Sequence, residues 1–409
     1  MRVLGRVVAR CATVCLVLAA AACGTDTDTD GTVVDWYVAP GRTDEQGLAD
    51  TCAADAGGRY AVRLHELPTD VDDRHTELVR RLSGANGSID LLSADSHLVP
   101  ELAAAGFLAP LSSAQQQRWG EGVAPGALDA ATVDGELAAA PWWFDPELLW
   151  FRGVTAERAG LDVTAPITWD DLIAGAARLG VSVQIEDVDG TGLSQWVAAL
   201  VAAAGGSLVD GDDDVTLDTA PAREAASIVD FYRQSGVGPG PVADATDRFV
   251  GQGGGFLLAP SSASSAAPMQ AVAPELQVTG YPVVSEAAPA PAAGVSLAVA
   301  RDSDAQRAAA DLIDCLTGTD QQRTLLLETG HAPARPAIYD DEAVQDQVPD
   351  AAAVQEALRT ARPVPVTPSW TAIRRAIDAT WRPLESVSPA STPAAAQAEA
   401  AAAVAGELP

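Results

Sequence analysis

The chain contains no lysine, so all 25 of its basic residues are arginine. That absence excludes a Walker phosphate loop, a pyridoxal Schiff base, an SxxK acyl-transfer serine and a kinase-type phosphate lysine, each of which needs an ammonium. Histidine is scarce, with only His65, His75, His97 and His331, and neither an HExxH spacing nor a GxSxG elbow occurs. Hydrolase and metalloenzyme readings therefore start weak, and no metal or cofactor is expected. Positive charge is also in deficit: 25 basic residues against 56 acidic ones leave a formal net charge of −31. A phosphate backbone needs a cationic face, so nucleic acid is not an expected partner. What is abundant is apolar material: 48% of 409 residues is enough for a large core and two or three domains' worth of chain.

Arg2, Arg6 and Arg10 precede an apolar run over residues 11–22, too short for the roughly twenty residues of a membrane-spanning helix. This order reads as a signal peptide over residues 1–22, with small residues before Cys23 that resemble a bacterial lipobox. Ala20 stands where a lipobox usually carries leucine. Cys23 is the expected lipidation site, and residues 23–32 a polar tether; an ordinary secretory signal is the alternative. The expected location is the extracytoplasmic face of a bacterial cell membrane. Losing three arginines with the signal takes the charge from −31 to −34.

Export agrees with the cysteine count. With Cys11 and Cys15 in the signal and Cys23 lipidated, two of the five cysteines remain, Cys52 and Cys315. A disulfide is expected between them, two buried free thiols being the alternative.

Along the mature chain, period-2 apolar runs alternate with amphipathic stretches. Strands are predicted at residues 33–38, 59–67 and 89–93, with helices at 44–56 and 72–82 between them, and a further helix over 97–107. This βαβαβ order implies parallel strands with ligands at their carboxyl ends. A strand-like segment over 147–152 follows Trp142-Trp143-Phe144-Asp145. A second α/β body begins at Thr168, which caps a helix to residue 179 with Asp171 at the third helical position. Strands are predicted at 181–185, 253–260 and 294–300, and helices at 193–204, 219–235, 303–317, 320–329, 351–361, 369–379 and 394–405. Asp187-Val188-Asp189-Gly190 opens like a calcium loop but lacks the remaining ligands, so a turn is expected there, and another at 210–214.

These landmarks, in this order, resemble the carbohydrate-binding lipoproteins of ABC importers, the family-1 extracellular solute-binding proteins. The matching residues are Ile89-Asp90-Leu91-Leu92, the Ala103–Leu111 run AAAGFLAPL, Ala139-Ala140-Pro141, Leu149-Trp150-Phe151-Arg152, Thr168–Leu172 (TWDDL) and Gly205-Gly206. The cysteine pair, the ELLWFR segment, and Ala361-Arg362-Pro363 followed by Trp370 are most similar to the trehalose-binding subgroup. The resemblance implies a two-lobed, type II periplasmic-binding fold with a hinge and a ligand cleft. It places lobe 1 at 33–142 plus 293–345 and lobe 2 at 143–292 plus 346–409. It also implies a monomer that captures a sugar, without catalysis, for a membrane permease driven by an ATPase.

Sugar capture needs aromatics for the C–H faces and polar groups for the hydroxyls. Trp36, Tyr37, Trp142, Trp143 and Trp370 are the aromatic candidates, each with core packing as its alternative. Trp169, Trp196 and Trp381 fit helical apolar stripes better. By the resemblance, Asp95 is a hydroxyl acceptor, with a helix N-cap as its alternative, Asp145 stands where relatives carry asparagine, and Arg362 reaches the cleft. Asp244 is a further candidate. Gly294 is expected to open a strand where backbone approaches ligand. The family's Trp and Phe after the strand at 253–260 are replaced by Leu258-Ala259-Pro260-Ser261-Ser262, which predicts a smaller, more polar wall and a ligand other than trehalose. A binding protein for a peptide or cationic small molecule, and a secreted glycosidase, are the competing readings.

Overall fold

The computed structural model describes residues 31–39, 45–84, 87–211, 213–251, 254–284 and 289–407. The signal peptide, Cys23 and nearly all of the tether lie outside the described residues. Among those described, no helix is long and apolar enough to cross a membrane.

The strands are β1 (Thr32–Val38), β2 (Tyr60–Glu66), β3 (Leu91–Asp95), β4 (Thr132–Val133), β5 (Glu136–Leu137), β6 (Ala140–Arg152), β7 (Val183–Glu186), β8 (Pro241–Val242), β9 (Phe256–Pro260), β10 (Leu276–Thr279) and β11 (Ala292–Val299). They pair in the order β2-β1-β3-β11-β6-β9-β7-β8, with β10 also on β6, while β4 and β5 form a small separate hairpin. β1 runs parallel to β2 and β3, and β7 parallel to β8 and β9, as the βαβ order requires.

β6 joins the two halves. Its first part pairs with β11, from Ala140 opposite Leu297 to Pro146 opposite Ala292. Its second part pairs with β9, from Glu147 opposite Pro260 to Phe151 opposite Phe256. The strand therefore changes partner between Pro146 and Glu147. The sequence marks 147–152 as strand-like, and the strand proves longer, running from Ala140 as one element of 13 residues. Its near-continuous apolar run suits a strand covered on both faces.

Helices cover both halves of the large sheet. Glu45–Asp55 and Gln306–Leu316 pack beside β1 and carry Cys52 and Cys315, which are bonded with Cα atoms 5.8 Å apart across a sequence separation of 263. Closing so long a loop contributes on the order of 5 kcal/mol by chain entropy. On the other side, Trp169–Leu179, Gly192–Ala203, Ala220–Gln234 and Trp370–Trp381 enclose a core holding Trp169, Trp196, Trp370 and Trp381. A further apolar cluster, with Phe144, Trp150, Phe249 and Tyr339, spans the crossing itself. Thr168 caps its helix as expected, accepting from the Asp171 amide at 3.0 Å. The helix expected over 97–107 is shorter, Val99–Ala104, and turns out through Gly106 at φ +73°. Short helices at Ser113–Gly120 and Pro125–Ala130 carry too little apolar periodicity to announce themselves.

Candidate functional site

Where β6 passes between the halves, a cavity of about 440 Å³ opens. Alternation along a strand sends residues i, i+2 and i+4 to one face. Trp143, Asp145 and Glu147 accordingly line the cavity together. β3 ends at its edge and supplies Asp95, followed by His97; β11 supplies Gly294. The opposite wall comes from β7 and the turn after it, with Glu186, Asp189, Thr191 and Gln195, and from the segment after β9, with Ser262, Ala263 and Ser265. Thr246 and His331 complete it.

Asp145 is buried and saturated. Its Oδ1 accepts from the Ala332 amide at 2.7 Å and the Ser261 hydroxyl at 3.1 Å, and its Oδ2 lies 2.6 Å from His331 Nδ1. The imidazole so held stacks on Trp143, with ring centroids 4.0 Å apart and planes 17° apart. The pair makes a fixed aromatic surface beside a carboxylate whose two oxygens are both engaged by the protein.

Asp95 does not cap the next helix, whose N-cap is Leu98 without a side-chain bond. It accepts from Arg74 Nε at 3.0 Å instead, and Arg74 Nη2 reaches Asp189 at 3.0 Å on the far side of the cleft. The guanidinium is 2% exposed and its Nη1 also donates to the Thr69 carbonyl at 2.6 Å. Further out, Asp72 pairs with Arg374, and with Arg375 at 2.8 Å, while Thr371 donates to Glu101 at 2.9 Å. Helix Val71–Ser83 and helix Trp370–Trp381 thus clasp each other at the mouth.

Burial alone would raise the Asp72 carboxyl, and the two arginines outweigh it, holding it below the ordinary range. Glu101 is also held low, because His75 and Thr371 together outweigh its burial. The interior behaves oppositely. Burial, with the charges of Glu186 and Asp145, pushes Glu147 up to about 8. Burial also raises Glu186, against the pull of its hydrogen bonds from Thr246. His97 is pushed down by burial despite Asp95 and Asp189 nearby.

Asp95, Trp143, Asp145 and Gly294 therefore reach the cavity, and six other candidates do not. Trp36 and Tyr37 point to opposite faces of β1, and helices cover both. Trp36 is fully buried, bonding Ser93 Oγ at 2.9 Å, and Tyr37 stacks on His65 away from the cleft. Trp142 is the out-of-phase neighbour of Trp143 and faces the core around Trp36. Trp370 begins an apolar stripe with Ile373, Ile377 and Trp381 and is core. The Arg362 backbone bridges Pro291, and its exposed side chain meets only the Ala361 carbonyl. Asp244 is exposed and pairs with Arg248 at 2.7 Å. Gly294 has a packing reason beyond ligand approach: a Cβ there would stand 2.1 Å from the Trp143 carbonyl oxygen.

Sequence reasoning missed His97, Glu147, Glu186, Asp189, Gln195, Thr246 and His331. Only Glu147 had a readable signal, its period-2 phase with Trp143 and Asp145. The Asp187–Gly190 segment is a turn, with Asp187 accepting from the Gly190 and Gly192 amides at 2.8 and 2.9 Å. Among the described residues no group of side chains is arranged to hold a metal ion.

Two α/β bodies joined by a through-running strand, with a polar cavity at the crossing, define a protein that encloses a small solute. The chain belongs to the bacterial extracellular solute-binding proteins, whose family profile matches residues 47–353. A probable ABC transporter-binding protein of Deinococcus radiodurans is 26% identical over 272 residues, covering 60% of this chain; the chain spans 63% of that relative's length. Maltose-bound MalE3 of T. maritima shares the fold with a TM-score of 0.76 at 22% identity, over 90% of this chain and 99% of that one. The GacH receptor of Streptomyces glaucescens, solved unliganded and with acarbose, aligns with a TM-score of 0.77 at 18% identity, over 92% and 98% of the two chains. These are two-lobed type II binding proteins, not enzymes.

Proposed function

We propose that this chain captures a sugar or sugar-like glycoside in the cavity at β6 and delivers it to the permease of an ABC importer. In this reading it works as a monomer held by a lipid on Cys23 at the outer face of the membrane. The lobes divide near residues 142, 292 and 345, so that the crossing strand is the hinge. The observation that carries the reading is the Trp143–His331 stack fixed by Asp145: an apolar aromatic face with hydroxyl-bearing Thr191, Thr246, Ser262 and Ser265 around the same cavity. Ser262, Ala263 and Ser265 leave more room than aromatic side chains would, which favours a larger or differently linked glycoside over trehalose. Maltose in MalE3 and acarbose in GacH support the ligand class.

The test is a thermal-shift screen of the full chain in detergent against a saccharide library, followed by calorimetry on each hit. A ligand at a hundred times its Kd stabilises the protein by about 2.7 kcal/mol. A hit whose affinity falls at least about tenfold in Trp143→Ala supports the proposal; a saccharide converted to product, or no saccharide bound, overturns it. Palmitate labelling that persists in Cys23→Ala overturns the anchor.

A further inference from the structure

Six carboxylates line the cavity, and among the described lining residues there is no arginine to balance them. Four are accounted for. Arg74 lies between Asp95 and Asp189, His331 and two further donors engage Asp145, and Asp247 is exposed at the mouth. Glu147 and Glu186 are different. The Glu147 carboxyl makes no hydrogen bond or ion pair, and Glu186 uses only Oε2, which accepts from the Thr246 amide and hydroxyl at 2.9 and 2.5 Å. Both border a small recess off the main cavity, floored by Trp196, Leu258 and Tyr281. Carboxylates set in apolar surroundings without a cation are costly, and none of the described arginines lines this space.

A second, independent feature lies on the main cavity. His97 is 9% exposed, lines the cavity, and its buried Nε2 has no partner. What sets it apart from the unpartnered core tryptophan nitrogens is that its residue lines the cavity, where a ligand hydroxyl can meet it. Burial keeps this imidazole neutral, so it adds no positive charge opposite the two glutamates.

We propose that the solute carries a protonated amine among its hydroxyls, and that Glu147 and Glu186 read that amine while His97 meets a hydroxyl on the other side. The ligand class is an amino sugar or an amine-bearing pseudo-saccharide. This rests on the sugar reading of the cavity and narrows it. The Trp143–His331 surface takes the ring face, and the recess takes the ammonium, which can donate to both glutamates at once.

The experiment uses pairs that differ only in charge: trehalosamine against trehalose, and the glucosamine disaccharide against cellobiose and against its N-acetylated form. Calorimetry at pH 7 on the full chain is expected to give an amine at least about tenfold tighter than its neutral partners, the gain of a charge-assisted contact. Glu147→Gln, which keeps the shape, should abolish that preference, bringing amine and neutral partner to within about twofold of each other, and circular dichroism checks that it folds. Binding of the amine at pH 6.5 should also release protons, seen as a heat that varies with the buffer, whereas the neutral sugar should release none. A neutral member bound as tightly as its amine overturns this inference and leaves the sugar reading standing. If no member of any pair binds, both fall together.

Discussion

The mouth of the cavity and its floor handle charge in opposite ways. Towards the mouth four carboxylates have a basic partner: Arg74 serves Asp95 and Asp189, Arg374 and Arg375 serve Asp72, and His75 serves Glu101. Two of these contacts, Arg74 to Asp189 and Asp72 to Arg374 and Arg375, join opposite halves of the fold, so pairing there fastens one half to the other. On the floor Glu147 and Glu186 have no such partner, and both carboxyls are shifted upward. Paired charge holds the two halves together, while the carboxyls beside the crossing strand have no cation, and burial favours their protonated form. The same residue type thus does structural work at the rim and selective work inside.

The severest way to break the contrast is to make the mouth resemble the floor. Arg74→Met leaves Asp95 and Asp189, whose side chains are 5% and 9% exposed, without the guanidinium they share. Removing one partner of a buried ion pair costs about 3–5 kcal/mol, so urea denaturation at pH 7 should show a loss of that size. A loss below about 1 kcal/mol would mean that water already screens the cluster.

The floor is tested by pH. Glu147 titrates at about 8 in the folded chain and near 4.5 when unfolded. Between those values the native state holds a proton that the unfolded state has lost, so stability falls as pH rises from about 4.5 to 8, by a few kcal/mol in all. Glu147→Gln should flatten that slope and leave the protein more stable than wild type at pH 8.5. Chemical denaturation at four pH values reads it, and an unchanged slope would remove Glu147 from the floor's electrostatics.

Most of the secondary structure was legible because periodicity carries it. The helices now seen at Val71–Ser83, Trp169–Leu179 and Ala220–Gln234 fell within a residue or two of the expectation, each with a capping Asp or Thr before it. The site was less legible, for a geometrical reason. Trp142 and Trp143 are chemically alike and adjacent, and only the register of β6 decides which meets the cavity and which the core. Trp36 and Tyr37 sit near a strand's carboxyl end, where ligands bind, yet helices cover both faces of β1. His331 and Glu186 reach Asp145 and Glu147 from distant parts of the chain. No local pattern announces such convergence, whereas the alternation Trp143, Asp145, Glu147 was open to reading.

The gentlest test separates the outer clasp from the inner one. Asp72 is 43% exposed while its partner Arg374 is 5% exposed, so water screens one end of the pair. Asp72→Asn should cost no more than about 1 kcal/mol at pH 7, far less than loss of Arg74. The pH dependence is the sharper readout. Because the folded carboxyl titrates below its ordinary value, its contribution is present above the unfolded pKa and disappears as pH falls through the folded one. The wild type should therefore lose stability towards pH 3 slightly faster than the Asn variant, a sign opposite to the Glu147 slope. If the two substitutions changed the pH profile in the same direction, the division between a paired rim and an unpaired floor would be wrong.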